Sequence, residues 1–205
     1  MKSKDTPWEI GFLQSHHISS LLKTHLESFP GFFLTFLGPR FLKEFYSSFL
    51  SEETAIALVA EDHSGTVLGF VVGTEEPNGF FKRLLKKRWW RFCLASLNAL
   101  SRQPEIAFRL FRALFYRGDA PPGAGRALLS SIAVCPEMQS TGLGRALVMQ
   151  WTEEVRKRGK TGCYLTTDAV NNEKVNQFYQ QAGWQISTTY KTPEGRLMNC
   201  YVMDF

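Results

Sequence analysis

Two short stretches of the sequence carry residue types whose spacing could do chemistry. In the first, Gln139-Ser140-Thr141-Gly142-Leu143-Gly144-Arg145, two glycines one residue apart stand among donor-rich side chains. Glycine has no Cβ, so an anion can approach its backbone closely, and Gln139, Ser140, Thr141 and Arg145 add donors of their own. At the first turn of a helix, unpaired N–H groups and the aligned peptide dipoles would make this segment a seat for a diphosphate. It lacks the lysine of a P-loop and the third glycine of a dinucleotide fingerprint. The second stretch runs from Asn171 to Trp184 and offers the Asn172 amide, the Tyr179 phenol and a Gly183-Trp184 end.

A loop of this kind needs a strand before it and a helix behind it. Leu128–Val134 is a short apolar run that reads as a buried strand, and Pro136 stops it. After the glycines, Leu143, Leu147, Trp151 and Val155 recur every fourth residue, which predicts an amphipathic helix to about Arg158. Cys163–Asp168 then reads as a strand parallel to the first, because a helix of this length makes a right-handed crossover. Asp168 is placed at the mouth between the two strands, and Gly183 closes the short helix that follows.

The segment Gln139-x-x-Gly142-x-Gly144-Arg145-Ala146-Leu147, directly after the strand Ser131-Ile132-Ala133-Val134, resembles the acetyl-CoA motif of the GNAT N-acetyltransferase superfamily. Asn172, Tyr179 and Gly183-Trp184 match that superfamily's second signature in register, and the resemblance covers roughly Ile56 to the C-terminus apart from an insertion. It implies an α/β fold with a GNAT-like mixed central sheet flanked by helices, in a single domain over residues 1–205. It also implies acetyl-CoA as acetyl donor, with no metal. The backbone near Ile132, Ala133 and Val134 would hold the pantetheine, and the loop residues Gln139, Ser140, Thr141, Gly142, Leu143, Gly144 and Arg145 the diphosphate. Asn172 would hydrogen-bond the pantetheine or pyrophosphate arm with Phe178 beside it, and Tyr179 would donate its proton to the leaving thiolate. The expected reaction is direct attack by a primary amine of a small molecule, an amino sugar or a protein N-terminus. A non-catalytic acyl-CoA sensor or a membrane-surface module is the alternative.

A phenol near pKa 10 is protonated at neutral pH, so Tyr179 suits that donor role. An attacking amine must be neutral, which calls for a proton acceptor. Here the sequence departs from many relatives: Ser130 and Ser131 stand where a glutamate base is often found. Glu75, Glu76 and Asp168, all at strand ends, are the candidate substitutes, and Glu75 is preferred. Cys135 invites a ping-pong mechanism, but no histidine lies near it in sequence to activate it.

The remaining elements read simply. Trp8–Phe12 is a first strand and Ser15–Leu26 a first helix; its His16, His17 and His25 have no metal-ligand partners at suitable spacing. A phenylalanine-rich turn follows, in which Phe32, Phe33 and Phe36 either pack in the core or line an acceptor pocket, and then a helix over about Pro39–Leu50. Thr54–Glu61 and Thr66–Thr74 form a hairpin through Asp62-His63-Ser64-Gly65. The C-terminal runs, Trp184–Tyr190 and Arg196–Phe205, complete the sheet, with Asn199 and Asp204 candidates for the crevice.

Hydrophobic residues make up 44% of the chain and charged ones 21%, which fits a globular protein. No apolar run reaches the ~18 residues of a membrane span and the N-terminus has no apolar signal core, so the expected location is cytoplasmic. The net charge of +5 is uneven: residues 82–117 hold ten Lys or Arg and one acid, Glu105, leaving the rest net negative. This segment is expected as a helical insertion at about 79–117 divided by Pro104, with Phe81, Leu85, Trp89 and Phe92 on one face and the cations opposite. Its readings are a solvated basic face over a packed seam, or contact with an anionic membrane or acidic acceptor. Its aromatics could also supply a homodimer surface. Nucleic acid is not an expected partner, because no base-reading motif accompanies the charge.

Overall fold

The runs of β-branched and apolar residues become strands close to where their pattern places them. The computed structural model describes residues 6–30, 33–102, 125–193 and 195–205. Among these, seven strands form one sheet in the order β1-β2-β3-β4-β5-β7-β6. They are β1 Glu9–Phe12, β2 Ala55–Glu61, β3 Val67–Thr74, β4 Arg126–Val134, β5 Gly162–Asp168, β6 Gln185–Lys191 and β7 Leu197–Asp204. The helices are α1 Ile18–Ser28, α2 Phe33–Phe36, α3 Gly38–Phe49, α4 Phe80–Arg102, α5 Leu143–Lys157 and α6 Glu173–Gln181. None of the described helices is long and apolar enough to cross a membrane.

Neighbouring strands are antiparallel within β1–β4 and within β5-β7-β6. The two halves meet at β4 and β5, which run parallel and pair only at Arg126, Ala127 and Leu128, opposite Gly162, Cys163 and Tyr164. Beyond Leu128 the strands part. The β2–β3 hairpin closes as its residues suggest: Asp62 Oδ1 accepts from the Ser64 and Thr66 N–H groups at 2.8 and 3.0 Å, and Gly65 takes φ +81°.

Helices cover both faces of the sheet. Leu21 and Leu22 of α1, Phe41, Leu42, Phe45 and Tyr46 of α3, and Phe80, Leu84 and Phe92 of α4 pack on Val59, Phe70 and Val72. On the other face Leu143, Leu147, Trp151 and Val155, the predicted i, i+4 stripe of α5, are all buried against Ile56, Leu58, Val71 and Leu129. Trp151 also donates its indole N–H to the Ile56 carbonyl at 3.1 Å. Gly73 makes room for that ring, since a Cβ there would lie 2.2 Å from the Leu128 carbonyl oxygen and 2.5 Å from the indole.

The expected basic insertion is represented among the described residues by α4 alone; its remainder, with Pro104, lies outside them. α4 also corrects one predicted face. Its backbone leaves helical geometry at Arg88 (φ −134°, ψ 26°). Phe80, Leu84 and Phe92 are buried, whereas Trp89, assigned to the core stripe, is 63% exposed. A kink shifts the phase of a helical stripe.

Candidate active site

β4 delivers the chain into the donor-rich loop through a 3₁₀ turn, Pro136–Met138. Ser140 and Gly142 take positive φ, +63° and +91°, with Thr141 between them. The Thr141 hydroxyl donates to the Met138 carbonyl at 2.7 Å, which closes the turn. Gly142 is the N-cap of α5 and no side chain caps that end. The first-turn N–H groups of Leu143, Gly144 and Arg145 therefore point out of the helix unpaired. Arg145 is exposed and the Leu143 side chain is buried in the core, so Leu143 can serve an anion only through its backbone.

The residues present fit an anionic ligand at this end. A Cβ on Gly142 would meet nothing within 4 Å, so the backbone there is open. A Cβ on Gly144 would meet the Phe178 ring and the Val134 side chain at 3.6 Å. That contact brings three of the predicted residues, from β4, α5 and α6, to one point.

Where β4 parts from β5, its edge has no strand partner among the described residues. The Cys135 N–H donates to the Leu68 carbonyl at 2.8 Å. Backbone groups alternate in an antiparallel ladder, so Ala133 and Ser131 bond toward β3 while Ile132 and Val134 face the opening. The Val134 carbonyl there accepts from the Ser28 hydroxyl at 3.2 Å and from the Gln139 amide at 3.5 Å. Ala133, expected with its neighbours to meet the cofactor through its backbone, buries its side chain in the α1/α3 core. The pairs Val72–Ser131 and Gly73–Leu129 leave Ser130 as an extra residue. This bulge turns Ser131 and Ala133 toward α1 and α3, and Ile132 and Val134 toward α5.

α6 forms the other wall. Asn172 is its N-cap residue, and its amide donates to Thr167 Oγ1 at 2.8 Å and the Asp168 carbonyl at 3.0 Å, so both its N–H donors are spent fixing the end of β5. Asn176, not singled out in the sequence, ties the same corner together. It donates to the Asp168 and Asn172 carbonyls and accepts from Asn199 and Tyr201. Its signal was available one helical turn after Asn172. Tyr179 is buried against Phe178, Trp184 and Tyr201. Burial pushes its phenol pKa up, so it holds its proton throughout the neutral range. Its hydroxyl has no hydrogen-bond partner among the described residues.

The candidate bases are each engaged elsewhere. Glu75 lies 3.5 Å from Arg158, at the C-terminal end of α5 and beside the stretch where β4 and β5 are still paired. Glu76 faces Arg83 at 3.9 Å. Asp168 accepts two hydrogen bonds from Arg196, at 3.0 and 2.7 Å. Asp204 is bonded to Arg126 near the start of β4, away from the opening. The buried Cys135 thiol is pushed up in pKa by desolvation, which disfavours the thiolate a ping-pong route requires.

Phe36 is 50% exposed; Phe32, its partner in the expected acceptor pocket, lies outside the described residues. His16, His17 and Glu61 cluster closely enough to suggest a metal site. The chemistry argues otherwise, since His17 Nδ1 accepts the Gln14 N–H at 3.0 Å. A neutral ring then carries its proton on Nε2, which lies 3.0 Å from Glu61 Oε2 and has no lone pair for an ion.

Residues 18–184 match the acetyltransferase (GNAT) family. No curated protein matches the sequence. Among solved structures, aminoglycoside 6'-acetyltransferase type Ii aligns with TM-score 0.63 at 15% identity, over 96% of each chain. The ribosomal-protein-S18-alanine N-acetyltransferase of Escherichia coli aligns with TM-score 0.58 at 18% identity, over 96% of this chain and 93% of that one. A putative streptothricin acetyltransferase from Bacillus anthracis, in complex with acetyl coenzyme A, gives 0.51 at 15% identity, over 78% and 68%. Likeness at these identities shows a shared fold.

Proposed function

Because the chain belongs to the acetyltransferase (GNAT) family, we propose that it moves the acetyl group of acetyl-CoA onto a primary amine by direct attack. The observation that carries this reading is the convergence of the α5 N-terminus, the edge of β4 and α6 at the contact of Gly144, Val134 and Phe178. Acetyl-CoA supplies an activated thioester, and everything else falls to the chain. The first-turn N–H groups of α5 and Arg145 hold the diphosphate. The edge groups of Ile132 and Val134 bond the pantetheine amides, and Phe178 packs beside that arm. Tyr179, protonated, donates a hydrogen bond to the sulfur as charge develops on it. Glu75 is not assigned the base: its partner Arg158 gives it the smaller role of anchoring the end of α5. The amine gives up its proton to water in the opening.

The acceptors named for the similar structures, an aminoglycoside and an alanine of ribosomal protein S18, mark the range of amines to try. Calorimetry with acetyl-CoA, followed by thiol release over amino sugars, aminoglycosides, polyamines and N-terminal peptides, tests the reading. Absence of acetyl-CoA binding sinks it. Binding without turnover across the panel favours a sensor.

A second reading, attachment to an anionic membrane surface, has its own support in α4. Trp89, Trp90 and Leu94 are 63%, 50% and 59% exposed. Arg83 and Lys87 are engaged by Glu52, and Arg88 and Arg91 by Glu44, which leaves Lys82 and Lys86 projecting beside them. Interfacial tryptophans with neighbouring cations suit a headgroup region. Salt-sensitive co-sedimentation with anionic vesicles, lost in Trp89→Ala/Trp90→Ala, would support it, and equal recovery with neutral vesicles would count against it.

A further inference from the structure

The C-terminal end of α1 meets the edge of β4 that faces the opening, and the reaction as described gives it no part. Ser28 is the last residue of α1, and its hydroxyl donates to the Val134 carbonyl at 3.2 Å. That carbonyl points away from β3, because the Cys135 N–H beside it bonds the Leu68 carbonyl and orientation alternates along an antiparallel strand. A hydroxyl bonded to it therefore sits at the opening, beyond Leu128 and Tyr164, the last pair of β4 and β5. Ser28 is half-buried, and its neighbours hold it in place. The Phe29 carbonyl accepts from the Thr35 hydroxyl at 2.7 Å. One turn back, His25 Nδ1 lies 2.7 Å from the Tyr46 hydroxyl and Nε2 lies 3.4 Å from Thr35 Oγ1. This polar chain ties the end of α1 to α2 and α3.

The bond to Val134 fixes what Ser28 can still offer. A carbonyl only accepts, so the Ser28 hydrogen is spent and the oxygen keeps its lone pairs. No described residue donates to them. The Val134 carbonyl takes a second donor, the Gln139 amide at 3.5 Å, so both its lone pairs are engaged. Ser28 Oγ thus stands as the acceptor at a place where the strand's own carbonyl is in use. The last turn of α1 has the same polarity, since its terminal carbonyls and dipole favour hydrogen-bond donors over anions. The N-terminus of α5, across the same opening, has the reverse preference.

Coenzyme A carries groups that match both ends. Its diphosphate is an anion, and the pantoyl half of the arm that follows holds a hydroxyl and a secondary amide N–H, both donors. The Val134 side chain lies 3.6 Å from the Cβ position of Gly144 in the first turn of α5. The part of the arm alongside Val134 is therefore the part next to the diphosphate. We propose that Ser28 Oγ accepts a hydrogen bond from the pantoyl half of the coenzyme A arm, which makes α1 part of the donor site. This rests on the acetyl-CoA-dependent reading. The contact is one of binding alone: Ser28 moves no proton and touches neither the thioester nor the amine.

Calorimetry on the full chain tests it with coenzyme A, with phosphopantetheine, which keeps the arm, and with the adenosine bisphosphate half, which lacks it. Ser28→Ala should weaken coenzyme A and phosphopantetheine each about fivefold, the loss of one neutral hydrogen bond, and change the adenosine half less than about twofold. Ser28→Thr, which keeps the hydroxyl, should hold coenzyme A within about twofold of the wild type. In steady state, Ser28→Ala should raise the acetyl-CoA KM by the same factor and leave kcat unchanged, because the contact is equal in the ground and transition states. A Ser28→Ala chain that binds coenzyme A as tightly as the wild type overturns the proposal and leaves the transferase reading standing. So does an equal loss for the adenosine half, the mark of a purely structural tie between α1 and β4. A wild-type chain that binds no coenzyme A refutes the transferase reading, and the proposal with it.

Discussion

Tyr179 is the residue on which the proposed chemistry turns, and its environment decides what it can do. Packed against Phe178, Trp184 and Tyr201, its phenol is harder to ionise than in water, so its contribution is a hydrogen bond offered to a departing sulfur. Tyr179→Phe should lower kcat by about 10²-fold and leave the acetyl-CoA Kd within about threefold, as single-turnover kinetics and calorimetry would show. His25 makes a different prediction. Its pKa falls from 6.5 unfolded to about 4 folded, so between those values the unfolded chain takes up a proton that the native chain refuses. The stability it confers is complete above pH 6.5 and declines as pH falls toward 4, by about 3 kcal/mol in all. Urea unfolding at pH 7, 5 and 4 should trace that decline, and His25→Phe should remove it from this window.

At the scale of the element, α5 separates binding from stability. Gly144 stands in the first turn with ordinary contact distance for a methyl group, 3.6 Å to Phe178 and Val134, so the protein itself tolerates one. Gly144→Ala should leave Tm unchanged or raise it slightly, since alanine is favoured over glycine in a helix by up to about 1 kcal/mol. It should weaken acetyl-CoA about tenfold by occupying the approach to the backbone. Gly142→Ala meets open space but a φ of +91°, so it should lose stability as well, by roughly 1 kcal/mol. Calorimetry and thermal melts on the two variants distinguish these outcomes. α5 was legible in the sequence because Leu143, Leu147, Trp151 and Val155 repeat without interruption and one buried face explains all four. α4 was legible only in part, because the break at Arg88 involves neither proline nor glycine. The placement of Glu75 followed correctly from the end of β3, but a strand end does not announce which partner it will meet, and Arg158 is 83 residues away. The polar chain through His25, Thr35 and Tyr46 had no local signal at all, since its members come from separate helices and meet only through the core.

For the whole molecule, the critical joint is the crossing of β3, β4 and α5 at Gly73. Any side chain there collides with the Leu128 backbone and the Trp151 ring, neither of which can swing aside. Gly73→Ala should therefore destabilise the chain by about 2–4 kcal/mol, measurable by urea unfolding, whereas Gly144→Ala does not. The parallel pair of a mixed sheet was within reach of the sequence from the crossover helix, but the early parting of β4 and β5 was not, because the residues on both sides of the gap are ordinary strand formers. That parting leaves the backbone ladder between the two antiparallel halves three residue pairs long among the described residues. Their amide protons should therefore exchange with solvent on separate clocks, β2 and β3 slowly and the margin of β5 at Leu165–Asp168 faster. A ligand lodged between the halves would slow the Ile132 and Val134 amides and bring the two exchange rates together.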